Sequence, residues 1–84
     1  MYRIEFTTSA SRQLKKFDKV TQARLVRQIS ELASQPRPPG VKKLESKEDL
    51  YRIRVGDYRV IYTINDSELL VLVVRIGHRS DVYE

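Results

Sequence analysis

The chain has 84 residues, which suits one domain over residues 1–84 and leaves no room for a separate cofactor domain. It has no cysteine and one histidine, which excludes disulfides, thiolate metal sites and a zinc site built on paired histidines. Lys and Arg number 16 against 11 Asp and Glu, giving a net charge of +5 and an isoelectric point near 9.7, so the expected partner is a polyanion.

Tyr2 to Thr7 alternates and is rich in β-formers, which predicts a strand. This start is charged and unlike the apolar core of a signal peptide, and the longest apolar run, Leu69 to Val74, is too short to span a bilayer. The expectation is a soluble, cytoplasmic protein with no membrane partner. Thr8 and Ser9 offer capping oxygens for a short helix ending near Phe17, with Ala10, Leu14 and Phe17 on one face. Asp18 caps a second helix running to about Ser34. Its apolar stripe is Leu25, Ile29 and Leu32, widened by Val26 and Ala33, opposite Arg24, Arg27, Gln28 and Glu31. Pro36, Pro38, Pro39 and Gly40 then stop the helix and begin a loop that includes Lys42 and Lys43.

The remainder reads as sheet. Tyr51 to Val55 and Tyr58 to Ile64 flank a two-residue turn at Gly56-Asp57. A turn at Asn65 to Glu68 leads into Leu69 to Ile76, apolar nearly throughout, as in a strand covered on both faces. The expected class is α+β, in the order β-α-α-β-β-β, with two N-terminal helices packed on one face of an antiparallel sheet.

The Gly56-Asp57 turn lets the register be derived. Val55 faces Tyr58, Arg54 faces Arg59, Ile53 faces Val60 and Arg52 faces Ile61. Tyr51, Ile53, Val55, Tyr58, Val60, Tyr62 and Ile64 then share one apolar side, which assigns the tyrosines to packing. The other side carries Arg52, Arg54 and Arg59. Like charges set opposite in a sheet cost up to about 1 kcal/mol, so fold stability gives no reason for the cluster. A bound phosphate does, because guanidinium forks match its oxygens. The alternative is a solvated polar face whose arginine stems cover apolar atoms. Pairing Ile64 with Leu69 adds Leu70, Leu72, Val74, Ile76 and His78 to the arginine side and sends Arg75 and Arg79 to the other. A bulge at Gly77 would reverse this for Arg79.

The stretch Leu50-Tyr51-Arg52-Ile53-Arg54-Val55-Gly56-Asp57-Tyr58-Arg59-Val60-Ile61-Tyr62 resembles the core of the RelE/ParE toxin superfamily. The ending Ile76-Gly77-His78-Arg79-Ser80-Asp81-Val82-Tyr83 is similar to the tail of its RelE branch. Tyr2 to Phe6, the helical pair and Lys42-Lys43-Leu44 extend the likeness over essentially the whole chain. The resemblance implies a type II toxin that enters the ribosomal A site and cuts mRNA without a metal or other cofactor. It implies catalytic positions at Arg52, Arg54, Arg59, Arg79 and Tyr83. His78, placed by alternation, is a further candidate as the acid or an auxiliary, and Lys42, Lys43, Arg52 and Arg54 are the candidate RNA contacts. Well-studied RelE members carry lysines where this chain has Arg52 and Arg54. Arginine stays protonated and is no general base, which leaves Tyr83 for that part, or for packing the tail onto the sheet. The implied partners are a cognate antitoxin, the ribosome and mRNA, with operator DNA bound only as the toxin–antitoxin complex. Two other functions fit the same core: a ParE-like inhibitor of DNA gyrase that cuts nothing, and a degenerate toxin that survives as a nucleic-acid-binding partner.

Overall fold

A computed structural model describes residues 1–44, 49–78 and 80. The elements are β1 (Arg3–Phe6), α1 (Thr8–Lys15), α2 (Lys19–Ser30), a single 3-10 turn (Glu31–Ala33), β2 (Lys42–Leu44), β3 (Leu50–Val55), β4 (Tyr58–Asn65) and β5 (Leu70–His78). The class is α+β as expected, with both helices on one side of the sheet. None of the helices is long and apolar enough to cross a membrane among the described residues.

Side-chain oxygens start both helices. Thr7, one residue ahead of the expected caps, accepts from the Ala10 N–H at 3.1 Å. Asp18 accepts from the Thr21 N–H at 2.7 Å, and these bonds to its carboxylate hold its pKa below the ordinary value. Ala10, Leu25, Ile29 and Leu32 carry the helical faces into the core, where they meet Tyr51, Ile53, Val55, Val60, Tyr62, Val71, Val73 and Ile76. Burying one such aliphatic side chain is worth about 1.5–3 kcal/mol. Val26 does not widen the stripe as its spacing suggested, since it is 43% exposed.

The sheet has five strands in the order β1-β5-β4-β3-β2. Two features differ from the sequence reading. The segment expected as loop, Lys42–Leu44, is an edge strand antiparallel to β3. The sheet is mixed rather than antiparallel, because β1 runs parallel to β5, with Arg3 beside Leu70 and Phe6 beside Val73. Strand direction here is a pairing across more than sixty residues of chain, which alternation within either strand cannot encode.

A polar clasp returns the chain from the helices to the sheet. The Tyr62 hydroxyl donates to the Pro36 carbonyl at 2.7 Å. Arg37 reaches both carboxylate oxygens of Asp66, at 3.2 and 3.0 Å, and its guanidinium lies 5.3 Å from the centre of the Tyr51 ring. The Tyr2 hydroxyl donates to the same carboxylate at 2.6 Å. The proline-rich segment is thereby tied to β1 and to the turn after β4.

Candidate nucleic-acid interface

The β3–β4 hairpin has the register derived from its turn: Arg54 opposite Arg59, Ile53 opposite Val60 and Arg52 opposite Ile61. Gly56 has φ +61, the left-handed value required at the first position of this two-residue turn. The core takes the Tyr51–Ile53–Val55 side, so Arg52, Arg54 and Arg59 lie together on the face turned away from the helices. They are not equally solvated. Arg54 is exposed and Arg59 half-buried, whereas Arg52 retains only 8% of its surface. Burial lowers the pKa of Arg52 from its ordinary value, and the positive charges of Arg54 and Arg59 add to the effect. The face is therefore one electrostatic unit, with a buried guanidinium at its base and two nearer the solvent.

Neighbouring strands extend it. Lys42 on β2 lies opposite Arg52, which brings it to the arginine face. Lys43 does not join it. Its ammonium sits 5.9 Å from the centre of the Tyr51 ring, on the helix side, and pairs with Asp49 at 3.2 Å. Sequence reasoning also missed Arg24, which it left on the polar face of the second helix. The Arg24 guanidinium lies against the hairpin tip, where a Cβ on Gly56 would come within 2.8 Å of Nη1.

The β4–β5 pairing changes the membership of the site. Asn65 pairs with Leu70 and Tyr62 with Val73, two residues from the expected register but on the expected faces. The ladder then slips between Ile61 and Tyr62: Ile61 pairs with Arg75, leaving Val74 as an extra residue on β5. Val74 packs with Leu44, Leu50 and Ile61 in a small apolar cluster on the outer face. Beyond the bulge the faces exchange. Ile76 lies opposite Val60 and is 1% exposed in the main core. His78 lies opposite Tyr58, with its ring edge-on at 5.6 Å, while Tyr58 packs against Phe17 at 4.9 Å. His78 is therefore on the helix side, not among the arginines as expected. Arg75 takes the outer face instead, exposed and opposite Ile61. The slip lies well before Gly77, the one residue whose composition suggested a bulge. Arg79 and Tyr83 fall outside the described residues.

Residues 4–83 match the family described as "ParE toxin of type II toxin-antitoxin system, parDE". The chain belongs to this toxin family. A putative RelE-like toxin protein of Escherichia coli is 31% identical over 98% of this chain and 90% of its own length. The mRNA interferase toxin RelE of Escherichia coli K12 is 28% identical over the same shares, 98% and 90%. Among solved structures, the archaeal RelE of the RelE–RelB complex from Pyrococcus horikoshii superposes with a TM-score of 0.82 at 30% identity, covering 96% of this chain and 98% of that one. The archaeal RelE shares this chain's fold, so the arginine face is carried by a known toxin scaffold.

That face can bind and stabilise charge. A phosphodiester laid on it meets Arg54 and Arg59 first and the buried field of Arg52 beneath them. Such fixed cations favour a state in which negative charge builds on phosphate oxygens, at no cost of reorientation when the charge appears. They cannot abstract a proton.

Proposed function

We propose that this toxin is an endoribonuclease that cleaves mRNA on the ribosome. The observation that carries the reading is Arg54 set directly opposite Arg59 above the buried Arg52, three guanidinium groups gathered on one face as a phosphate requires. In the proposed reaction the ribose 2′-oxygen attacks the adjacent phosphorus, its proton passes to a base, and the bond to the 5′-oxygen breaks as that oxygen is protonated. The products are a 2′,3′-cyclic phosphate and a 5′-hydroxyl. Arg52, Arg54 and Arg59 hold the phosphate and its growing charge, and no metal or other cofactor enters the scheme. From the family resemblance, Arg79 is assigned as a fourth cation and Tyr83 as the base. Lys42 extends the RNA contact along β2, while Lys43 and His78 are left out of the set.

The relative named mRNA interferase supports this activity. An antitoxin partner is supported by the archaeal RelE having been solved with RelB, and an acidic antitoxin segment would suit the toxin's basic surface. The toxin would then act in the cytoplasm, and the toxin–antitoxin complex would be the form that meets operator DNA. The family description names ParE, which favours a second reading, inhibition of DNA gyrase without cleavage. One experiment separates them: purified toxin is incubated with programmed ribosomes and, in parallel, with gyrase and relaxed plasmid. Cuts within A-site codons are the expected result. Intact mRNA together with blocked supercoiling would replace the nuclease reading by the second.

A further inference from the structure

The bulge that places Arg75 also opens a second basic feature. β1 ends at Phe6 beside Val73, so among the described residues no strand lies on that side of β5 from Val74 onward. Side chains from the helix layer cover this edge in part: the Thr7 hydroxyl donates to the Val74 carbonyl at 3.3 Å, and Gln13 accepts from the Ile76 N–H at 2.7 Å. Between the end of α1 and this edge lies a cleft of about 330 Å³, lined by Gln13, Lys16, Phe17, Arg75, Gly77 and His78. Among the described residues its lining contains no carboxylate. Lys16 and Arg75 are both exposed, and among the described residues neither forms an ion pair.

Three properties of this cleft suit one nucleotide of a single strand. Lys16 and Arg75 set two cations at its rim. The carbonyl end of α1 presents about half a negative charge there, which the full charges of Lys16, Lys15 and Arg12 outweigh. Phe17 and His78, each packed against Tyr58, bring two rings to the lining, the kind of side chain on which RNA-binding proteins stack unpaired bases. Finally, Gly77 lines the cleft and lies opposite Arg59 in the ladder, so the cleft adjoins the arginine face.

We infer that the cleft between the end of α1 and the open edge of β5 holds a flanking nucleotide of the RNA, its phosphate between Lys16 and Arg75. The inference rests on the nuclease reading and adds a contact outside the scissile phosphate. It is tested with a short, fluorescein-labelled 2′-O-methyl RNA, which binds and cannot be cleaved, by measuring Kd over a range of salt concentrations. Removing one phosphate contact from a single-stranded complex lowers the slope of log affinity against log salt by about 0.7. The Lys16→Gln/Arg75→Gln variant is expected to show that loss of slope and about tenfold weaker binding. Arg75→Lys is expected to keep the wild-type slope, because charge is what the site supplies. Both positions are exposed, and unchanged thermal melting checks that the fold is intact. Arg54→Gln is the control for the arginine face. If wild type binds, Arg54→Gln weakens binding and the double variant matches wild type in affinity and slope, the flanking site is overturned and the nuclease reading stands. If wild type fails to bind the RNA at all, the flanking site is overturned, and cleavage on programmed ribosomes still decides the nuclease reading.

Discussion

The two hairpins of the sheet share β4, yet they pass on side-chain direction differently. Across β3–β4 strict alternation holds from the two-residue turn to the strand end, and every residue faces where its spacing says. Across β4–β5 alternation holds from the turn as far as Val73 and then reverses at Val74. One extra residue exchanges His78 for Arg75 on the outer face and returns Ile76 to the core. A tight turn fixes register because it leaves no slack, whereas a bulge is permitted wherever packing on the far side rewards it. The membership of a site built across several strands therefore depends on the least regular ladder.

The largest effect expected from this contrast is on folding. Ile76→Ala should destabilise the toxin by about 2–5 kcal/mol, the range for truncating a buried aliphatic side chain, while Arg75→Ala should stay within about 0.5 kcal/mol. Urea unfolding of the two variants checks the bulge directly, because unbroken alternation would put Ile76 outside and reverse their ranking. Next comes activity. Arg59→Ala in the regular hairpin should lower mRNA cleavage by about 100-fold to 1000-fold, the usual loss for one transition-state charge stabiliser, and abolish growth inhibition while leaving the melting transition in place. Toxicity equal to wild type in that variant would remove the arginine face from the mechanism.

A smaller effect has the opposite sign. Arg54→Thr removes a like charge from beside Arg59 and puts a good β-former in its place. It should raise the urea midpoint by an amount equivalent to a few tenths of a kcal/mol, up to about 1, while lowering cleavage. A gain in stability with a loss of activity is the signature of a cluster kept for binding.

The last effect separates the turns by pH. Hydrogen bonds from Arg37 and then Tyr2 hold the pKa of Asp66 below its ordinary value. A depressed carboxylate contributes stability that is complete above its unfolded value, about 4, and is lost as pH falls through the lower folded value. Below about pH 4 the turn after β4 should loosen before the Gly56-Asp57 turn, and amide exchange followed across that range would reveal the order. Equal loosening of both turns, or an Asp66→Asn variant with unchanged acid behaviour, would count against the clasp.

Legible from the residues were the parts whose causes lie close together along the chain. Ala10, Leu25, Ile29 and Leu32 announced the helical faces, Asp18 its cap, and the Gly56-Asp57 turn the gathering of Arg52, Arg54 and Arg59, because periodicity and a two-residue loop act over a few residues. Tertiary structure alone decided the parallel pairing of β1 with β5, the short edge strand that carries Lys42 to the site, and the reversal at Val74. Each of these is settled by what the far side of the sheet must bury, and that is set by helices and strands distant in sequence. Ile76 sits in the core beneath the helix layer, its N–H bonded to Gln13 sixty-three residues earlier in the chain, so the choice between His78 and Arg75 was made by packing and not by alternation.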